Sequence, residues 1–141
     1  MENTNEMTLV FDSRPVNEGL ARVAVAAFCT QLNPTLEEVA DLKTAVSEAV
    51  TNCIIHGYEG QVHKIQVDCR RNGQELFVDV IDQGVGIADV EKAMEPLYTT
   101  KPERERSGMG FTFMEAFMDE VFVESEPGKG TTVHMKKIIG R

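Results

Sequence analysis

Apolar residues along this chain switch between two spacings, and the switches mark its elements. Residues 1–6 (MENTNE) are polar and expected to be frayed, and residues 7–11 (MTLVF) predict a short strand. From Pro15 to Leu32 the apolar positions Val16, Leu20, Val23, Ala24, Ala27 and Phe28 recur at three- and four-residue steps, which predicts a helix with that stripe buried. Asn33-Pro34 stops it. Thr35-Leu36-Glu37-Glu38 has the form of a capping box and predicts a second helix. Its apolar face runs through Leu36, Val39, Leu42, Val46, Ala49, Val50, Cys53 and Ile54, and Gly57 after His56 is placed to supply a left-handed cap.

The period then falls to two. Lys64 to Arg71 and Gln74 to Ile81 alternate as strands do, with Asn72-Gly73 between them as a hairpin signal. A glycine loop (Asp82-Gln83-Gly84-Val85-Gly86-Ile87) follows, then a short helical stretch around Val90 to Met94. Residues 96–110 (PLYTTKPERERSGMG) have no hydrophobic period, hold two prolines and a charge cluster, and predict a mobile loop. Helical spacing returns from Gly110 to Glu120, and Val121 to Glu124 with Thr131 to Ile139 predict a closing hairpin. No repeat or linker divides the chain. This order predicts an α+β fold: a two-layer sandwich in which helices cover one face of a mostly antiparallel sheet.

Composition narrows the function. A chain of 141 residues with 42% hydrophobic side chains suits one domain with a core of its own. Fourteen basic against 23 acidic residues give a net charge of −9, which disfavours nucleic acid and anionic membrane as partners. Any phosphate must therefore be held locally. Cys29, Cys53 and Cys69 form no CxxC and leave one unpaired, so neither a disulfide framework nor a zinc site is expected, and a reducing cytoplasm fits. No leader-like pattern and no apolar run long enough to span a membrane is present.

The candidate chemistry is distributed along the chain. Glu48 and Asn52 stand four apart on the second helix, so they project side by side. A carboxylate beside an amide carbonyl suits magnesium, which keeps most of its shell for water and phosphate; a plain solvated helix face is the alternative. Asp82-x-Gly84-x-Gly86 follows a strand directly, either as a simple turn or as a place where backbone closes on a ligand. Ser107-Gly108-Met109-Gly110 opens a helix whose free amides can meet phosphate, and Lys101, Arg104 and Arg106 stand just before it. Neither GxGxxG nor GxxxxGK[ST] occurs, which excludes Rossmann and P-loop sites.

Taken in order, Glu48-x-x-x-Asn52, Asp82-x-Gly84-x-Gly86, a long loop and Gly108-x-Gly110 resemble the Bergerat (GHKL) ATP-binding fold of gyrase-type ATPases, histidine kinases and their serine-kinase relatives. SEAVTNCIIHGY, IDQGVGI and PLYTTKPERERSGMGFTFME are most similar to the anti-sigma factor serine kinases, over residues 7 to 138. The resemblance implies ATP or ADP with Mg2+ as ligands and residues 96–110 as an ATP lid within one domain, 7–141. It implies Glu48 as the catalytic carboxylate, Asn52 as the magnesium ligand and Asp82 as acceptor for the adenine amino group. Gly84, Gly86 and Thr131 fall beside the adenine, and Thr99, Lys101, Arg106, Ser107, Gly108 and Gly110 near the phosphates. Arg22 becomes a contact for protein partners: a sporulation sigma factor of the F type, and an anti-anti-sigma factor phosphorylated on serine. A homodimer paired through the first strand is also implied. The alternatives are a nucleotide-dependent sigma-binding switch without kinase activity, the catalytic half of a sensor histidine kinase, and a gyrase-type ATPase. The last two are disfavoured because only six polar residues precede the first strand and the chain stops at residue 141.

Overall fold

The computed structural model describes residues 3–87, 94 and 110–140. The elements run β1 (Thr4–Asp12), α1 (Val16–Cys29), a 3₁₀ turn (Thr30–Leu32), α2 (Leu36–Asn52), a π turn (Cys53–Gly57), β2 (Lys64–Asn72), β3 (Glu75–Asp82), α3 (Gly110–Phe117), β4 (Glu120–Glu126) and β5 (Gly130–Ile138). The strands form one five-stranded antiparallel sheet in the order β1-β2-β3-β5-β4. Helices pack on one face of it, so the predicted α+β sandwich is the observed one. The short helix expected around Val90 lies, apart from Met94, outside the described residues.

Strand alternation sets the two faces. Phe11, Ile65, Val67, Cys69, Leu76, Val78, Val80, Val123, Val133 and Met135 are buried toward the helices, where they join Leu42, Ala45, Val46, Ala49 and Val50 of α2 in a single core. The opposite face carries Asp79 and Glu124 on either side of His134. Burial pulls that imidazole's pKa down, but its bonds to Glu124 and Asp79 prevail and hold it above the ordinary histidine value.

Several boundaries differ from the sequence reading for identifiable reasons. Thr4, Asn5 and Glu6, expected to be frayed, pair with Asn72, Arg71 and Arg70 across β1 and β2. Polar residues suffice there because the ladder bonds are made by backbone. The β2–β3 hairpin turns at Gly73-Gln74, one residue later than Asn72-Gly73, with Asn72 opposite Glu75. Only Gly73 of that pair has positive φ, 62°, which is the glycine placement of a type II′ turn. The capping box at Thr35 and Glu38 forms as its pattern predicts.

The clearest correction concerns α1. Of its expected buried stripe Phe28 is buried, but Val16, Leu20 and Val23 are exposed at 78%, 50% and 58% and Ala27 is exposed too, while Ala21, Val25, Ala26 and Cys29 are buried in their place. Leu36, assigned to the inner face of α2, is 90% exposed. Both α1 stripes have helical spacing; the one through Ala21, Val25, Phe28 and Cys29 is the buried one, and α1 packs against α2. Replacement of Leu42, fully buried, by alanine is expected to cost about 2–5 kcal/mol in urea unfolding. Leu20→Ala is expected to stay within about 0.5 kcal/mol, and a large loss there would contradict the observed face of α1.

Candidate functional site

The site is built around one misplaced charge. Leu76, Val78 and Val80 point into the core from β3, and the next inward position is Asp82, only 4% exposed. Its Oδ1 accepts from the Gly84 amide at 2.8 Å. Burial raises its pKa, opposed by hydrogen bonds from the Gly84 amide, the Cys53 thiol and the Thr131 amide. The carboxylate is thus ringed by donors yet still held at a desolvation cost.

Backbone from two other parts of the chain is pressed against it. A Cβ on Gly57 would lie 2.8 Å from Asp82 Oδ2, and a Cβ on Gly84 would lie 2.0 Å from the Gly57 carbonyl oxygen. Gly57 has no positive φ, so the left-handed cap expected of it is not its role. It ends the π turn, where Tyr58 N bonds to Cys53 O at 2.9 Å, and its missing side chain is what admits the carboxylate. Val85 N then donates to Gly57 O at 2.9 Å and Gln83 N to the Tyr58 hydroxyl at 2.7 Å. The glycine loop is therefore fastened directly onto the end of the second helix.

The β4–β5 hairpin closes the other side. Gly86 and Gly130 lie so near the Glu126 and Asp82 carbonyls that a Cβ would fall 2.0 and 2.1 Å from them. Ser125 Oγ accepts from Ile87 N at 2.7 Å and bonds the Thr131 hydroxyl at 2.7 Å. Thr131 thus serves Asp82 through its backbone amide while its side chain is held by Ser125. A cavity of about 500 Å³ opens here, lined by Asp82, Gln83, Val123, Ser125, Gly130 and Thr131 among others. It wraps the hairpin end of the sheet; Glu48 and Asn52 stand on α2, in the helical layer.

Asn52 is the last residue of α2, directly before the π turn that Gly57 ends. Its Nδ2 is buried with no hydrogen-bond partner. An amide presents either its oxygen or its nitrogen by a half-turn, so this group has an unused polar end available to a ligand. Among the described residues no cluster of three His, Cys, Asp or Glu could hold a metal. One amide near half-buried Glu48 suits an ion that takes the rest of its shell from phosphate and water, as magnesium does.

Gly110 is the first residue of α3, and Arg22 is exposed on α1, 3.6 Å from Glu18. Thr99, Lys101, Arg106, Ser107 and Gly108 lie outside the described residues. The sequence reading missed Cys53, Tyr58, Ser125 and Gly130, and took Gly57 for a helix cap. For Gly57 and Tyr58 a signal existed in the His-Gly-Tyr run directly after the Asn52 helix.

A helical layer over an antiparallel sheet, with a buried strand-end carboxylate fenced by glycine backbone, defines a nucleotide-binding domain of the ATPase and kinase class. The histidine kinase-like ATPase domain profile matches residues 11–137. The chain is 60% identical over 140 residues to the anti-sigma F factor of Thermoanaerobacter sp. (strain X514), which covers 99% of this chain and 98% of that protein. It is 59% identical to that of Caldanaerobacter subterraneus subsp. tengcongensis (100% and 99% covered) and 55% identical to that of Oceanobacillus iheyensis (97% and 94%). This chain belongs to the histidine kinase-like ATPase family and, within it, to the anti-sigma F factors. Among the described residues no helix is long and apolar enough to cross a membrane.

Gly84→Ala is expected to lower stability by about 1–3 kcal/mol, because the methyl group can be admitted only by moving backbone. Chemical denaturation checks this, and an unaltered midpoint would show that the loop and the π turn are not locked together.

Proposed function

We propose that this chain is an ATP-dependent protein-serine kinase that binds and inhibits a sporulation sigma factor of the F type and phosphorylates an anti-anti-sigma factor. The observation that carries this reading is Asp82: a carboxylate 4% exposed, held by Gly84, Thr131 and Cys53 beside an open cavity. An ionised carboxylate has about four lone-pair sites, so it retains capacity for the amino group of adenine. Guanine presents a carbonyl there and is rejected, since two acceptors would be left facing each other.

Gly84 and Gly86, pressed against the Gly57 and Glu126 carbonyls, let the loop backbone close over the nucleotide. Asn52 would hold magnesium, which when bound would supply charge neutralisation at the phosphates. Thr99, Lys101, Arg106, Ser107, Gly108 and Gly110 contribute amides and cations to the phosphates from the lid, residues 96–110. Glu48 orients or deprotonates the attacking serine hydroxyl. The sigma factor and the anti-anti-sigma factor both meet Arg22, and two copies pair through the outer edge of β1, which has a strand partner on one side only. A lid arranged differently with ATP and ADP biases partner choice by its differential affinity for the two arrangements. The printed name of the relatives supports the anti-sigma assignment, and the domain match supports ATP use.

The test is incubation of the full chain with labelled ATP, magnesium and an anti-anti-sigma protein, with the phosphate located by mass spectrometry. Transfer to one serine is expected. Glu48→Gln should lower transfer by about two to four orders of magnitude while ATP and sigma factor still bind. Unchanged transfer would remove Glu48 from the chemistry. Absence of transfer by the unaltered protein would leave a sigma-binding switch set by nucleotide.

A further inference from the structure

Three strands contribute one row of neighbouring side chains at the cavity. Asp82 on β3 stands directly opposite Thr131 on β5, and Thr131 directly opposite Ser125 on β4, so the three share a face and lie within reach of one another. All three line the cavity. Asp82 and Thr131 are buried and Ser125 is half-buried. Among the described residues Ser125 Oγ makes three hydrogen bonds: with the Ile87 amide at 2.7 Å, the Gly130 carbonyl at 3.0 Å and the Thr131 hydroxyl at 2.7 Å.

Proton counting orients that network. A serine hydroxyl has one proton to give and two lone pairs to receive. The Ile87 amide can only donate and the Gly130 carbonyl can only accept, so the Ser125 proton goes to Gly130. The Thr131 hydroxyl must then donate to Ser125, because the reverse would leave the Ser125 and Gly130 oxygens facing each other with no proton between them. Thr131 has one proton as well, and with it directed at Ser125 its Oγ1 can offer a ligand lone pairs alone. The Asp82 carboxylate next to it is likewise an acceptor.

We propose that Ser125 is a positioning residue for purine selectivity: by taking the Thr131 proton it fixes Thr131 Oγ1 as a second acceptor beside Asp82, a pair that suits an amino group with its two N–H donors and repels a carbonyl. This rests on Asp82 being the adenine acceptor, as proposed above.

Calorimetric titration of the full chain with the magnesium complexes of ATP, inosine triphosphate and purine riboside triphosphate tests the role. These carry an amino group, a carbonyl and a hydrogen at the same ring carbon. Ser125→Ala releases the Thr131 proton, which can then turn to a carbonyl. The preference for ATP over inosine triphosphate should fall about three- to tenfold, the range of one modest hydrogen bond, with inosine triphosphate gaining on purine riboside triphosphate. A loosened Ile87 anchor would instead weaken all three nucleotides alike and leave the preference where it was. Ser125→Thr, which keeps the hydroxyl, should retain the original preference. Where Thr131→Val has removed the hydroxyl that turns, adding Ser125→Ala should change the preference no further. If the alanine variant does not fold, Ser125→Cys carries the test, since a thiol is a weak acceptor and should move the preference in the same direction by less. An unmoved preference in the alanine or cysteine variant, a threonine variant that behaves as alanine, or a shift that persists without the Thr131 hydroxyl would each overturn the role of Ser125. Equal binding of ATP and purine riboside triphosphate by the unaltered protein would overturn the Asp82 reading itself.

Discussion

The structure depends on the burial of one carboxylate at the end of an apolar row. Three fully buried side chains, Leu76, Val78 and Val80, precede Asp82 on the inner face of β3, and alternation leaves the charge no other direction to point. Water is replaced there by the Gly84 amide and by backbone of the π turn and the last strand. Each has to come very close, and closeness is what the bare Cα atoms of Gly57, Gly84 and Gly130 allow. Desolvation still outweighs the donors, since the pKa stays above the ordinary aspartate value. The folded protein thus carries an electrostatic cost at one point, and a ligand bringing a further donor lowers it.

The same packing explains how a loop with no secondary structure acquires a fixed root. Residues 83–87 are fastened at successive positions: Gln83 to Tyr58, Gly84 to Asp82, Val85 to Gly57 and Ile87 to Ser125. Tyr58 and Gly57 lie at the second helix's end, Asp82 on β3 and Ser125 on the final hairpin, so the loop ties the two layers of the sandwich at the sheet's open end. A ligand seated against Asp82 therefore meets a floor whose position is set by backbone contacts, and specificity placed on such a floor is set before the ligand arrives.

Local pattern made much of this legible. The strands, the capping box at Thr35 and the position of Asp82 at a strand end all follow from alternation and spacing. The face of α1 did not, because that helix has two apolar stripes, each with two alanines, and periodicity cannot rank them. Gly57 was legible as a glycine but not as a contact, since its partner lies 25 residues away in sequence. Ser125 and Cys53 gave no signal at all. A serine 38 residues from the amide it accepts, or a cysteine on an apolar helix face, reads as ordinary until the fold brings its partner to it.

An acidic protein that takes up a polyphosphate has a further problem. The net charge is −9, and Glu124 and Glu126 stand at the cavity beside Lys129, which is itself 3.4 Å from Glu126. The general field of the chain opposes a nucleotide's phosphates, so long-range attraction cannot be what recruits it. Binding has to be carried by short-range contacts: in the function proposed above, an uncharged purine edge against Asp82, and local neutralisation of the phosphates by an ion and by Lys101 and Arg106. The purine end can then be selective without being penalised by the protein's charge, because a hydrogen bond to a buried acceptor acts over a few ångströms and is screened little by salt. In the proposed function, therefore, the end of the site fixed by backbone contacts discriminates the base, and Lys101 and Arg106 answer to the phosphates.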